Sequence, residues 1–173
     1  MAERDLTDGF QPSIFDRLTD PDSVGTSDRR GYSEAELIHI VRRDLEDILN
    51  TRRPSFEVLG IENLEQVKKS VVAFGLPDFA NLRSLSAGDR AAIGKEIAEA
   101  VAMFEPRLTE IEVVMKDPSK MKDEMKEKYQ IMAVYFHIAA KLRMDPCPPV
   151  TFETVLELTQ GRHRIEGEHG AGT

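Results

Sequence analysis

A helical pattern that runs into a proline is the feature that most constrains this chain. Five apolar residues of the stretch 93–108 recur at steps of four, four, three and four, the spacing of one buried helix face. They are Ile93, Ile97, Val101, Phe104 and Leu108. Because Pro106 lacks a backbone N–H and disfavours helical angles in the residue before it, we expect the helix to end near Phe104 or Glu105. Glu105 and Arg107 then flank a rigid corner, as a structural ion pair or as a docking point.

Two further helices are predicted upstream. Ser33 and Glu36 form a capping box, and a clean apolar face continues from there until Asn50 and the residues after it end the helix. A second helix is predicted from Asn63 and stops at Gly75, a residue type that often terminates helices.

After the proline corner the apolar period changes from near four to two, which is typical of strands. The alternation predicts a half-buried strand at 111–115, a long strand at 130–143 and a third strand at 152–158, with a charged excursion at 116–128. Helices first and a meander of strands afterwards predict an α+β fold. In this fold the N-terminal helices pack on one face of a small antiparallel sheet, which is formed mainly by the C-terminal half.

Composition divides the chain into three parts. Residues 1–33 carry a short apolar stripe and then a polar linker, residues 34–160 form the core domain, and the polar residues 161–173 are expected to be a frayed tail. The stripe consists of Ile14, Phe15 and Leu18. A short apolar peptide on a flexible linker either docks onto a neighbouring protein or folds back on its own domain, and the sequence favours neither.

The net charge and the cysteine content restrict the classes of partner and the cellular compartment that we expect. With 23 basic and 31 acidic residues the net charge is −8, so nucleic acid would be repelled. The nearest approach to a basic patch lies among acidic residues and consists of Arg42, Arg43, Arg52 and Arg53. The single cysteine, Cys147, fits a reducing compartment. No apolar run has the length of a membrane span and the N-terminus does not resemble a secretory signal, so we expect a cytoplasmic protein without direct membrane insertion.

The search for chemistry ends without a catalytic set. No histidine pair has metal-ligand spacing, so neither a metal nor a cofactor is predicted, and His137 is expected to be exposed on its strand. Glu105 with Asp78 or Asp89 could in principle form the acid and base of a glycosidase. Caps, ion pairs and solvated charges are the ordinary roles of such carboxylates, and no catalytic residue is predicted.

Four stretches together resemble one family. They are SIFDRL at 13–18, VRRDLEDILNTRR at 41–53, SVVAFGLPDF at 70–79 and FEPRL at 104–108. Their order and rough spacing are similar to those of TssE, the baseplate subunit of the bacterial type VI secretion system. TssE is itself similar to a baseplate wedge, sheath-initiator protein of contractile-tailed phages, historically labelled lysozyme-like. The resemblance extends from about 13 to 158.

The resemblance implies assembly rather than catalysis. Glu105, Pro106 and Arg107 match the motif that docks the family's subunit onto the wedge core. The implied partners are wedge subunits like TssF, TssG and TssK and sheath subunits like TssB and TssC, in a complex at the cytoplasmic face of the inner membrane. The sheet would offer an edge from which the sheath polymerises, supplied by the strand pair around 130–143 and 150–158.

Several alternatives stay open. Arg107 forms charge-assisted, bidentate hydrogen bonds with a partner's carboxylate or carbonyls, with Glu105 orienting it or binding the partner itself, or the two residues form an intrachain ion pair. The two arrangements are not exclusive. At the level of function, the alternatives are a peptidoglycan hydrolase, which the historical label implies, and a free-standing adaptor of the same fold.

Overall fold

The computed structural model describes residues 33–79, 87–116, 133–157 and 161–170. Its helices are α1 (Glu34–Asn50), the one-turn helices α2 (Phe56–Leu59) and α3 (Glu65–Lys68), a 3₁₀ turn (Val71–Ala73) and α4 (Ala87–Phe104). The strands are β1 (Leu108–Met115), β2 (Ala133–Leu142), β3 (Pro149–Glu157) and β4 (Arg162–His169). They form one antiparallel sheet in the order β1-β2-β3-β4. Helices that precede a four-stranded antiparallel sheet confirm the predicted α+β fold.

The chain divides into two compact units, residues 1–40 and 41–173, and the packing described below is that of the second unit. No helix in the described ranges is long and apolar enough to cross a bilayer. The apolar stripe Ile14, Phe15 and Leu18 and nearly all of the charged excursion 116–128 lie outside the described residues, so the predictions for them stay predictions.

Helix α1 begins and ends where its sequence predicts. The Ser33 hydroxyl accepts a hydrogen bond from the backbone N–H of Glu36 at 3.3 Å, and the Ser33 N–H donates to the Glu36 carboxylate at 2.8 Å. These two bonds satisfy helix-terminal donors that would otherwise lack a partner. Within the second unit the apolar face of α1 is buried at Val41, Leu45, Ile48 and Leu49.

The single helix predicted from Asn63 to Gly75 is wrong. The chain forms only α3 there, and then starts a separate 3₁₀ turn that the Ser70 side chain caps. Asn63 does not cap α3, whose N-cap residue Leu64 makes no side-chain hydrogen bond. The apolar spacing was misleading because it does not mark a buried face: Val71 is 82% exposed.

Helix α4 confirms the main sequence argument. It ends at Phe104, one residue before Glu105, and three of the apolar residues that predicted it are at most 1% exposed, namely Ile93, Ile97 and Val101. The last helical hydrogen bond runs from the Glu105 N–H to the Val101 carbonyl at 2.9 Å. Leu108, also buried, already belongs to β1, so the chain turns from helix to strand within the motif.

The three predicted strands are present in β1, β2 and β3, although Leu158 lies outside the described residues. Alternate residues of β2 and β3 fill the core and are at most 5% exposed. They are Val134, Phe136, Ile138, Ala140, Leu142, Val150, Phe152, Thr154 and Leu156. His137 lies on the opposite face, but it is half-buried and its Nδ1 atom is inaccessible, so the prediction of an exposed histidine is wrong.

The expectation of a frayed tail from Gly161 onward is wrong, because residues 162–169 form β4 and pair with β3. The strand was hidden by its polar composition: among residues 162–167 only His163 and Ile165 are buried, and Arg162 and Arg164 are exposed.

This fourth strand also changes the edges of the sheet. Both β2 and β3 have a neighbour on each side, so the strand pair around 130–143 and 150–158 offers no free edge. The edges are β1 and β4.

Candidate docking corner

Backbone hydrogen bonds fix both charged residues of the Glu105–Pro106–Arg107 motif. The Leu108 N–H donates to the Glu105 carbonyl at 3.1 Å, which closes the turn around Pro106. The Arg143 N–H donates to the Arg107 carbonyl at 2.7 Å, which ties the corner to the end of β2. Because the proline ring fixes one backbone angle between these anchors, Glu105 and Arg107 are presented in one relative orientation.

Glu105 and Arg107 form a close ion pair. The Arg107 side chain donates from Nε to Glu105 Oε1 at 2.6 Å and from Nη2 to Oε2 at 2.5 Å, and its backbone N–H reaches Oε1 at 3.1 Å. Glu105 is 1% exposed, whereas 27% of the Arg107 side chain is exposed. These hydrogen bonds from Arg107 to Glu105 are the main reason that the pKa of Arg107 is raised above its ordinary value, against an opposing effect of burial. The intrachain ion pair is therefore present.

Asp44 of α1 is a third member of this cluster, and the sequence argument missed it. Arg107 Nη2 donates to Asp44 Oδ2 at 2.5 Å, while Arg43 donates to the other oxygen, Oδ1, from Nε at 3.1 Å and from Nη2 at 3.0 Å. A signal was available, because Asp44 lies within the stretch 41–53 that carries the resemblance. Periodicity could not reveal the contact, since the two residues are 63 positions apart.

One end of the Arg107 guanidinium makes no hydrogen bond within the described part of the chain. Its hydrogen bonds use Nε and Nη2, and Nη1 donates to no residue of the described ranges. A guanidinium carries two N–H donors on Nη1, and they lie in the plane that the Glu105 pair has already oriented. Pro106 beside it is exposed. The corner thus combines a buried carboxyl group with an arginine whose side chain is partly exposed.

Three of the four stretches that carry the resemblance converge around this corner. Besides the bond from Asp44 to Arg107, the rings of Phe74 and Phe104 pack edge to face with centroids 5.2 Å apart. Arg52 and Leu76 form an isolated parallel bridge. SIFDRL at 13–18, the fourth stretch, lies outside the described residues.

Gly75 shows how tightly the stretch 70–79 is attached. Its φ is +99°, and a Cβ atom built on it would lie 2.2 Å from the Thr51 carbonyl oxygen. Both facts require glycine at this position, the first for backbone angle and the second for space. The glycine that was predicted to end a helix serves instead to let two backbone segments approach each other.

A family model for baseplate wedge protein gp25 matches residues 35–147, well over half of the chain. The chain belongs to this family. The match contains α1 from its second residue onward, α4, the converging stretches and the whole corner, and it confirms the resemblance to a phage-tail-like baseplate wedge protein. No curated protein and no solved structure matched the chain.

The gp25 family is a structural one. Both oxygens of Glu105 accept N–H donors of Arg107, so this carboxyl group is engaged in the ion pair of the corner. Asp78 lies 3.4 Å from Arg52 in an exposed ion pair, and Asp89 is in the first turn of α4. Within the described ranges no three His, Cys, Asp or Glu side chains are grouped as a metal site.

Proposed function

We propose that this chain is the structural baseplate component of a type VI secretion system, of the TssE kind. It would dock on the wedge subunits through Glu105, Pro106 and Arg107 and initiate sheath polymerisation by offering a sheet edge. Membership of the gp25 family supports the baseplate role. The observation that carries the docking proposal is the oriented Arg107 guanidinium, whose Nη1 group has no acceptor among the described residues.

The chemistry of the corner specifies what it would bind. Asp44 and Glu105 already place two carboxylates against the guanidinium, so the charge of Arg107 is compensated inside the chain. Neutral carbonyl oxygens of a partner are therefore the better acceptors for Nη1 than a further carboxylate. Because the guanidinium is fixed before the partner arrives, little side-chain entropy is lost on binding. The corner is suited to a backbone turn or a helix C-terminus of a wedge subunit.

The partners follow from this proposal. Wedge subunits like TssF, TssG and TssK would contact the corner, and sheath subunits like TssB and TssC would add to the sheet. The apolar stripe Ile14, Phe15 and Leu18 would serve as a second, tethered anchor. The complex would assemble at the cytoplasmic face of the inner membrane.

The docking role is tested by Arg107→Lys. A lysine keeps a positive charge against Glu105 but lacks the second arm of the guanidinium, so we expect a folded protein that no longer binds its wedge partners. The measurement is co-purification with the wedge subunits of the same operon, alongside circular dichroism of the variant. We expect at least about a tenfold loss of bound wedge subunits, the result of losing one pair of charge-assisted hydrogen bonds.

Arg164→Ala is the matched control, because it removes an exposed arginine from β4 and leaves the corner intact. We expect Arg164→Ala to co-purify with the same amount of wedge subunits as the wild type. If folded Arg107→Lys also co-purifies like the wild type, the corner is only an internal brace and the docking surface lies elsewhere. If the wild type itself brings down no wedge subunit, the baseplate assignment to these partners fails.

A further inference from the structure

Arg43 holds one oxygen of the carboxylate that lies beside Arg107. Its Nε and Nη2 atoms donate to Asp44 Oδ1 at 3.1 Å and 3.0 Å. Adjacent residues of a helix do not face each other, so the long Arg43 side chain has to reach sideways along α1 to make these bonds. The other oxygen, Oδ2, accepts from Arg107 Nη2 at 2.5 Å. Asp44 therefore links two arginines, with one arginine at each of its oxygens.

The N–H donors of the Arg107 guanidinium are used on one side only. A guanidinium has one hydrogen on Nε and two on each Nη atom. Glu105 accepts from Nε and Nη2, and Asp44 accepts from Nη2 as well. Because Glu105 occupies the edge between Nε and Nη2, the hydrogen that Asp44 accepts lies at the other edge, between Nη2 and Nη1. Asp44 is thus placed where Nη1 has a hydrogen without an acceptor among the described residues.

A carboxylate at this edge can bind a guanidinium through both of its oxygens. Arg–carboxylate pairs are frequently bidentate, with two parallel N–H···O bonds. Asp44 makes only one of the two to Arg107, because its Oδ1 atom is bound to Arg43. Without Arg43, Oδ1 would be free to turn to Nη1 and complete the second bond. Asp44 would then occupy the donor that the proposed docking requires.

The exposure of these side chains allows such an exchange of partners. The side chain of Arg43 is 46% exposed, that of Asp44 is 28% exposed and that of Arg107 is 27% exposed. Asp44 can therefore turn without a change in the core, while the buried Glu105 continues to hold Nε and Nη2. Ion pairs at such exposed positions are weak, so a single substitution is sufficient to change which arginine Oδ1 binds.

We propose that Arg43 is a positioning residue of the docking corner, which keeps Arg107 Nη1 available to a partner by holding Asp44 Oδ1 away from it. This inference rests on the proposed function, since it concerns the donor with which Arg107 would bind a wedge subunit. Arg43 acts through Asp44 and makes no contact with the partner itself. Asp44 has two opposed effects: Oδ2 helps to compensate the charge of Arg107, whereas Oδ1 competes with the partner's carbonyl oxygen.

Three variants of the full chain test this competition by co-purification with the wedge subunits, with circular dichroism to show that each is folded. We expect Arg43→Ala to lose about tenfold in bound wedge subunits, because Asp44 takes Nη1. Asp44→Ala should bind like the wild type, since Glu105 still fixes the plane of the guanidinium. Arg43→Ala combined with Asp44→Ala should regain the binding that Arg43→Ala loses. A direct contact between Arg43 and the partner, or a purely structural role, predicts no such recovery.

Arg42→Ala is the matched control. It removes the neighbouring arginine and the same charge, but Arg42 pairs with Glu46 and donates to the Ile165 carbonyl, so the hydrogen bonds of Asp44 are retained. We expect it to bind like the wild type. If Arg42→Ala loses as much binding as Arg43→Ala, the loss reflects the charge of α1 and the inference is overturned.

The free protein provides a measurement that requires no partner. In Arg43→Ala the Nη1 hydrogens of Arg107 should exchange with water about fivefold more slowly than in the wild type, as followed by NMR of the guanidinium N–H groups. The double variant should return to the wild-type rate. An unchanged rate in Arg43→Ala overturns the inference.

The binding measurements can overturn the inference in three further ways. These are wild-type binding by Arg43→Ala, a double variant that binds as weakly as Arg43→Ala, and weakened binding by folded Asp44→Ala alone. In each case the docking proposal stands or falls separately, on the result for Arg107→Lys. If the wild type brings down no wedge subunit, the proposed function fails, and the exchange rate of the Nη1 hydrogens alone decides whether Arg43 controls Asp44.

Discussion

Replacing Arg107 with alanine is expected to lower the free energy of unfolding by about 3–5 kcal/mol, the range for a buried ion pair that loses one partner. The effect comes from Glu105, which is 1% exposed and, among the described residues, would keep only the backbone N–H of residue 107 as a donor. A carboxylate left in that position retains the cost of its desolvation without the attraction that compensates it. Urea unfolding at pH 7, followed by circular dichroism, measures the change.

Two further variants separate the charge effect from lost packing. Glu105→Met with Arg107→Met removes both buried charges at similar volume, so we expect it to be within about 1.5 kcal/mol of the wild type. Asp44→Ala removes a partner that is 28% exposed, and a loss of about 1 kcal/mol is expected. Arg107→Ala within 1 kcal/mol of the wild type would contradict the assignment of Glu105 and Arg107 as a structural brace.

Under the proposed function, brace and docking point would be two functions of one guanidinium. The Nε and Nη2 atoms of Arg107 bind Glu105 and Asp44, and this fixes the plane in which Nη1 lies. An alanine variant that fails to co-purify is uninformative alone, because its stability also changes. Arg107→Lys is the informative substitution for docking, and Arg107→Ala is the informative one for stability.

His163 is expected to make the protein less stable in mild acid. The residue is 6% exposed, its Nδ1 atom has no hydrogen-bond partner among the described residues, and burial lowers the pKa of the imidazole to about 4 from 6.5. In the unfolded chain the ring takes up a proton below pH 6.5, whereas in the folded protein it stays neutral until about pH 4. Between these two pH values the unfolded state binds more protons than the folded state. The free energy of unfolding therefore decreases as the pH is lowered from about 6.5 to about 4.

Between pH 7 and pH 5 the free energy of unfolding should decrease by about 2 kcal/mol through this residue. Urea unfolding at both values, compared between wild type and His163→Gln, isolates the contribution because glutamine does not titrate. His39→Gln is the control, since His39 is exposed on α1, and it should keep the wild-type dependence. An unchanged pH dependence in His163→Gln would show that the buried ring is not the source.

Periodicity and local chemistry were sufficient for several elements. The capping box at Ser33, the end of α4 at Phe104 and the alternation in β2 each follow from interactions between residues close in the chain. The sequence also identified Glu105, Pro106 and Arg107 as a corner, because a proline after an apolar helix has one structural consequence. The change of apolar period from near four to two after this corner also predicted the α+β fold correctly.

Tertiary structure decided the conformation of two other stretches, because contacts with residues far away in the chain outweigh the preferences of the local sequence. The stretch 63–75 has helical spacing but breaks up because Val71 finds no core to face, and Gly75 is required by contact with Thr51. The polar stretch 162–169 becomes a strand because β3 and α1 satisfy its backbone from both sides.

Asp44 illustrates the same limit within the candidate site. Nothing local in α1 indicates that its carboxylate binds Arg107, since only the packed chain brings the two side chains within 2.5 Å of each other. The sequence by itself determined the motif, the fold class and the net charge of −8. Which oxygens compensate Arg107 and which strands pair in the sheet depend on contacts between segments far apart in the chain, and such contacts leave no periodic signal in it.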